Sequence, residues 1–348
     1  MSTFNVGINL QYFDQFLYLP RSYDFNEKRV NILPISDYDL ENGFFRSSRD
    51  IEHCPFDILL HPANYAATIS PAPNVVGMTI YSKVAQLHAF KRIACADNYP
   101  GFMCPEYTSL IMSTDTTATK RNLSNIAPLM RAPGDKLLVR ADYGSLGNSL
   151  FPVDKNNDIP HTIDTITVDN GEGWIRHCLA GRGGDEGLAR VIGRGWHLVA
   201  AIPNIKAEYR LLVTPDGTIN CCPRNRVLNE FGLPIGRVAY TSEGQSEQYR
   251  LFNETEFPDL REHIPLITDL IENELLGKYL PFGSLDLFLT TTGEWGFFEF
   301  STQFALNGMQ NDLRENTLME IIDHYLEIYK REYMSKGNSS SSIRIHLD

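Results

Sequence analysis

Two carboxylates in the segment SLDLFLTTTGEWGFFEFS, residues 284–301, are the groups of this chain best placed to do chemistry together. Alternation with period two puts Asp286, Phe288 and Thr290 on one face of a strand. A turn over Thr291, Thr292, Gly293 and Glu294 then returns the chain through Trp295, Phe297 and Glu299. With those four residues as the loop, position 290 pairs with 295 and 286 with 299, so Asp286 and Glu299 are cross-strand neighbours with Cβ atoms about 4.5 to 5.5 Å apart. Like charges at that separation in an apolar hairpin repel unless a cation or a shared proton offsets them. Oxygen donors without His or Cys select a hard cation, Mg2+ rather than zinc. If the pair repels, Asp286→Asn or Glu299→Gln leaves stability unchanged or raised. A shifted register with one carboxylate in water is the alternative.

Mg2+ usually takes one or two protein carboxylates and completes its shell with phosphates and water, so the pair points to a nucleotide. Two further groups suit phosphate. The segment VRADYGSLGNSL holds Gly144, Ser145 and Gly147 in a loop whose backbone N–H groups are able to wrap phosphate oxygens, with Arg140 on the strand entering it. Taken alone, such a loop is more often a plain hairpin. Glu208 and Arg210 share a face of EYRLLV, and Arg224 and Arg226 follow the return strand. Three guanidiniums converging there would grip a phosphate or acyl phosphate bidentately, and a solvated strand face is the competing reading.

The elements that must hold these groups are legible in outline. FNVGINL, RVNILPI, FDILLHP and NVVGMTIY are short apolar runs bounded by turn formers and read as strands. Lys83 opens a helical pattern (Val84, Leu87, Phe90, Ile93) that stops before Asn98. Thr214 to Gly217 mark a hairpin. Residues 260–276 and 316–333 read as amphipathic helices covering a sheet, and the Ser-rich end as a loose tail.

Length and composition set the bounds. At 348 residues the chain is long enough for two or three units, and 43% hydrophobic with 21% charged residues is an ordinary folded composition. A formal charge of −12 disfavours a nucleic-acid or anionic-membrane binder. Six scattered cysteines form no CxxC pair, the N-terminal stretch is not a secretory signal, and no apolar run would span a bilayer. The expected compartment is the cytoplasm.

In order, these pieces resemble the ATP-grasp superfamily: an N-terminal α/β unit, the Lys83 helix, a cationic strand into a Gly-rich loop, the acidic-x-Arg strand of Glu208 and Arg210, and a late hairpin with Asp and Glu. The resemblance covers about residues 80 to 312. It implies an α/β (α+β) ATP-grasp fold with an N-terminal α/β domain over 1–82, a subdomain with the Gly-rich loop over 83–204, a subdomain with the metal site over 205–334, and a tail over 335–348. Lys83, Lys136, Arg140, Gly144, Ser145, Gly147, Ala200, Ala201, Ile202 and Glu208 are the implied nucleotide contacts. Asp286, Glu299, Ser301 and Gln303 are the implied ligands of Mg2+, with Mn2+ as its substitute, and Arg210, Arg224 and Arg226 the catalytic cations. The family's strand normally carries Lys where Arg140 stands, and its Glu-x-Asn reads Glu299-Phe300-Ser301 here. The implied activity is an ATP-dependent carboxylate–amine ligase acting through an acyl phosphate on small-molecule or peptide substrates, as a monomer or homodimer, without nucleic acid or membrane. A hydroxyl kinase of the same fold and a nucleotide-binding protein without turnover are the alternatives.

Overall fold

A computed structural model of the chain describes residues 1–9, 14–35, 57–62, 75–78, 82–110, 116–132, 136–142, 150–154, 196–224, 248–280, 282–301 and 309–331. The first sheet is built from β1 (Ser2–Asn9), β2 (Ser22–Phe25), β3 (Lys28–Ile35), β4 (Ile58–Pro62) and β5 (Val75–Met78), in the order β2-β3-β1-β4-β5. β1 pairs in parallel with β3 and β4, and β4 with β5. Near-continuous apolar runs such as Ile58-Leu59-Leu60 are the mark of parallel strands covered on both faces, and all three residues are fully buried.

After this sheet comes α1 (Lys83–Cys95), where Ser82 caps the helix by accepting the Ala85 N–H at 3.1 Å. The second sheet, in the order β6-β9-β7-β8, joins β6 (Tyr107–Leu110), β7 (Lys136–Ala141), β8 (Leu150–Asp154) and β9 (Trp196–Ala200), with α2 (Thr116–Ile126) between β6 and β7 in the chain. Leu137, Val139, Trp196 and Leu198 pack with Leu123 of α2 on one face of it. The other face is left to the site.

The third sheet, β12-β11-β10-β13-β14, holds β10 (Ile205–Val213), β11 (Ile219–Arg224), β12 (Arg250–Leu251), β13 (Gly283–Thr290) and β14 (Trp295–Ser301). The expected hairpin between β10 and β11 is present. Its turn is locked by Asp216, which accepts from Thr214 Oγ1 and the Thr218 N–H, with Gly217 at φ +87°.

The helix expected over residues 260–276 is present but starts later, running helical without a break from Ile264 to Leu275. A 3-10 turn (Pro258–Leu260) is followed by α3 (Ile264–Leu270) and a π-turn (Ile271–Leu275), because Pro265 belongs at the first turn of a new helix. The last described helix, α4 (Asn311–Tyr329), begins five residues before the expected 316. The cores do not follow the chain segment by segment. Phe90 and Ile93 of α1 join the core of the third sheet, while Leu318, Ile321, Ile322 and Tyr325 of α4 join that of the first. Among the described residues no helix is long and apolar enough to cross a membrane.

Candidate nucleotide and metal site

The β13–β14 hairpin carries a correction to the expected register. Thr290 accepts the Gly293 N–H and donates to the Glu294 carbonyl, so Leu289, not Thr290, stands opposite Trp295. From the tip the ladder runs Phe288–Gly296 and Leu287–Phe297, then skips Phe298 and resumes as Asp286–Glu299. This bulge at Phe298 turns the following side chain back. Trp295 and Phe297 therefore lie on the opposite face from Asp286, packed with Phe90, Phe102, Leu287 and Leu289. Glu299 alone of the three returns to the face of Asp286.

Four cations of the protein meet the two carboxylates. Arg210, directly opposite Asp286 on β10, donates Nε to Oδ1 at 2.8 Å and Nη2 to Oδ2 at 3.0 Å. Arg224 Nη1 donates to the same Oδ2 from β11. The two-point fork fixes the plane of the Arg210 guanidinium, and the single contact anchors that of Arg224. Burial opposes the charge of Arg210, but Asp286 outweighs it and holds the guanidinium more firmly protonated than usual. Glu208 pairs with Arg224 across the β10–β11 ladder and is buried on the same face.

Glu299 meets the second pair. Arg140 Nη2 donates to Oε2 at 3.1 Å from β7, and Lys83 Nζ lies 3.4 Å from that oxygen at the start of α1. Burial disfavours the Glu299 carboxylate, yet Lys83 and Arg140 together hold its pKa below the ordinary glutamate value. Burial also lowers the pKa of Lys83, aided by Arg140 and resisted by Glu299. Helix α1 is seated on β14 by Gln86, whose Oε1 accepts the Phe300 N–H at 2.8 Å. It is joined to β7 through the Lys83 N–H, which donates to the Asp142 carbonyl at 3.0 Å.

Of the residues expected from sequence, Lys83, Arg140, Glu208, Arg210, Arg224, Asp286 and Glu299 are gathered here. Lys136 is four residues from Arg140 along β7, roughly 13 Å away, where its carbonyl accepts the Ala201 N–H beside Ala200 and Ile202. Ser301 ends β14 opposite Ser284. Gly144, Ser145, Gly147, Arg226 and Gln303 lie outside the described residues.

Sequence reasoning passed over Gln86, Asp142 and His197. Asp142 was within reach of it, being two residues beyond Arg140 and the first residue past the end of β7. The other two depend on which strand or helix lies beside which. His197 faces Arg140 across β7 and β9, and its Nδ1 is 2.7 Å from Asp142 Oδ1.

No family model matches the chain, and no curated protein matches it in sequence. Solved structures do match in shape. D-cycloserine synthetase DcsG superposes with a TM-score of 0.50 at 8% identity, over 93% of this chain and 100% of that one. D-alanine–D-alanine ligase from Bacillus anthracis complexed with ATP gives 0.48 at 12% identity, over 94% and 99%. A Chryseobacterium gregarium RiPP-associated ATP-grasp ligase in complex with ADP and a leader and core peptide gives 0.44 at 10% identity, over 93% and 97%. This chain has the ATP-grasp fold.

Proposed function

We propose that the chain is an ATP-dependent ligase that joins the carboxylate of a small molecule or peptide to an amine through an acyl phosphate. The observation that carries this reading is the paired cluster on the β13–β14 hairpin, with Arg210 and Arg224 on Asp286 and with Lys83 and Arg140 on Glu299. Lys83 and Arg140 bind phosphate oxygens, and the backbone at Ala200 to Ile202 lies along the nucleotide. Arg210, held at a fixed angle by Asp286, and Arg224, anchored on the same carboxylate, present their remaining N–H groups to the substrate carboxylate and its acyl phosphate. Guanidiniums fixed in advance neutralise developing charge without reorganising during the reaction. No covalent nucleophile is needed from the protein, because both reacting groups belong to substrates.

The donor set fits a hard divalent cation. Both ion-pair contacts of Glu299 fall on Oε2, its side chain is 28% exposed, Asp286 stands opposite it in the ladder, and Ser301, two residues on, shares its face of β14. Mg2+ or Mn2+ held by these groups would supply charge neutralisation to the phosphates.

The test is an ADP-release screen with Mg2+, ATP and pools of amino acids, short peptides and polyols. ADP and phosphate are expected together only when a carboxylate is present, with hydroxylamine diverting the activated acyl group to a hydroxamate. The γ-phosphate on a product hydroxyl without free phosphate would establish a kinase instead. Nucleotide binding with no ADP under any condition would leave a binding protein.

A further inference from the structure

Beneath the cation cluster lies a polar pair that the proposed ligase chemistry does not use. His197 is directly opposite Arg140 in the β7–β9 ladder, and opposed residues share a face. That is the face turned away from Leu137, Val139 and Leu198, the core beneath α2, and towards Lys83 and Glu299. Asp142, two residues beyond Arg140, is on it as well and takes Nδ1 of His197 at 2.7 Å. The imidazole is fully buried, and its Nε2 has no hydrogen-bond partner. An unsatisfied buried polar atom is costly, and a ligand is one thing that satisfies it.

The charges around the ring indicate which ligand. Lys83 from α1 and Arg140 from β7 face it, Asp142 answers them, and from β6 the opposed residue is the uncharged Ser109. Burial, Arg140 and Lys83 hold the ring neutral against the pull of Asp142, which fixes the N–H on Nδ1. In the whole cluster the cations Lys83, Arg140, Arg210 and Arg224 are equal in number to the carboxylates Asp142, Glu208, Asp286 and Glu299. A nucleotide triphosphate, anionic even with its magnesium, tips that balance to the negative side and so favours a proton on the ring.

We infer that His197 is an additional phosphate-binding position of this cleft, taking up one proton at Nε2 from solvent as nucleotide binds and donating it to a phosphate oxygen. Asp142 bonds to the resulting imidazolium through Nδ1. Only an N–H bond forms, and the buffer supplies the proton. Phosphate oxygens compete with Glu299 for Arg140, and loosening that bridge between the second and third sheets opens the way to Nε2. The inference rests on the nucleotide reading of the site.

Calorimetric titration with a magnesium-bound, non-hydrolysable ATP analogue, in two buffers of different ionisation enthalpy near neutral pH, counts the protons taken up. Wild-type protein is expected to take up as much as one proton and to bind more weakly as pH rises. His197→Asn, which keeps a donor for Asp142 and removes Nε2, is expected to lose the uptake and about tenfold in affinity. His197→Gln, with an amide N–H near the Nε2 position, keeps more of the affinity and none of the uptake. Imidazole 15N spectra of the wild-type protein need no variant and are expected to show one ring passing from neutral to doubly protonated. Binding of the analogue with unchanged ring signals, or with uptake that survives in His197→Asn, overturns the inference and leaves the nucleotide reading intact. Absence of binding overturns both.

Discussion

Glu299 reaches the face of Asp286 through one unpaired residue. Leu287 pairs with Phe297, Asp286 pairs with Glu299, and Phe298 bulges between them, its ring 4.8 Å from that of Phe288. As a ladder residue, Phe298 would itself stand opposite Asp286 and turn Glu299 into the apolar face of Trp295 and Phe297. The bulge thus places a carboxylate where Lys83 and Arg140 meet it. Bulges that re-aim a side chain are a recurrent device beside active sites.

The two carboxylates are expected to differ in what they do for stability. Asp286→Asn strands Arg210 and Arg224, whose side chains are 17% and 6% exposed, and should cost about 3 to 5 kcal/mol. Glu299→Gln acts on a more exposed group and should cost less. Denaturant unfolding of the two variants checks the order. The expectation from sequence, that removing either charge is neutral or stabilising, is corrected here because the protein's own cations already offset the repulsion.

Acid should act through Glu299. Its pKa in the folded chain is lowered, so its contribution is present above the ordinary glutamate range and lost as pH falls through the folded value. The stability gap between wild type and Glu299→Gln is therefore expected to close on acidification, measured by unfolding at constant ionic strength. A gap that widens as pH falls would contradict the assignment.

Arg210 should matter as a fork as well as a charge. Arg210→Ala is expected to lower hydroxamate formation roughly 100- to 1,000-fold, as for loss of an oxyanion-type donor. Arg210→Lys should recover little of it, since an ammonium cannot hold both oxygens of Asp286 in one plane. Recovery to near wild-type rate would reduce Arg210 to a point charge.

Lys28 is expected to tie the first sheet to α4. Its ammonium, 6% exposed, meets Asp323 and also Glu327 at 2.7 Å. Burial opposes its charge, but both carboxylates outweigh burial and raise its pKa, so the tie persists until pH climbs through that raised value. Lys28→Met should cost about 3 kcal/mol at neutral pH, read by thermal or denaturant unfolding.

Gly296 is expected to tolerate no side chain. A Cβ there would stand 2.4 Å from the Met103 carbonyl and 2.7 Å from Phe288 Cζ. Gly296→Ala should cost about 1 to 3 kcal/mol in unfolding experiments and disturb the pairing of Gly101 and Met103 with the edge of β14.

Local pattern by itself determined which residues are charged together and which elements carry them. Alternation set Glu208 and Arg210 on one face, the Thr214–Gly217 turn made a hairpin, and the apolar spacing after Lys83 made a helix, because period and turn chemistry act within a few residues. Asp286 opposite Glu299 was legible too, although by a register that is one residue out at the tip and is restored by the bulge at Phe298. No local signal encodes such a bulge, since it depends on which face of Trp295 and Phe297 the core of the third sheet takes. The partners of the two carboxylates were likewise decided by tertiary structure. Arg140 is 159 residues from Glu299 in the chain and Arg210 is 76 from Asp286. The burial of His197 beside Asp142 follows from the order β6-β9-β7-β8. Strand order is a property of long-range packing, where each short apolar run has several equivalent neighbours and only the assembled core selects one.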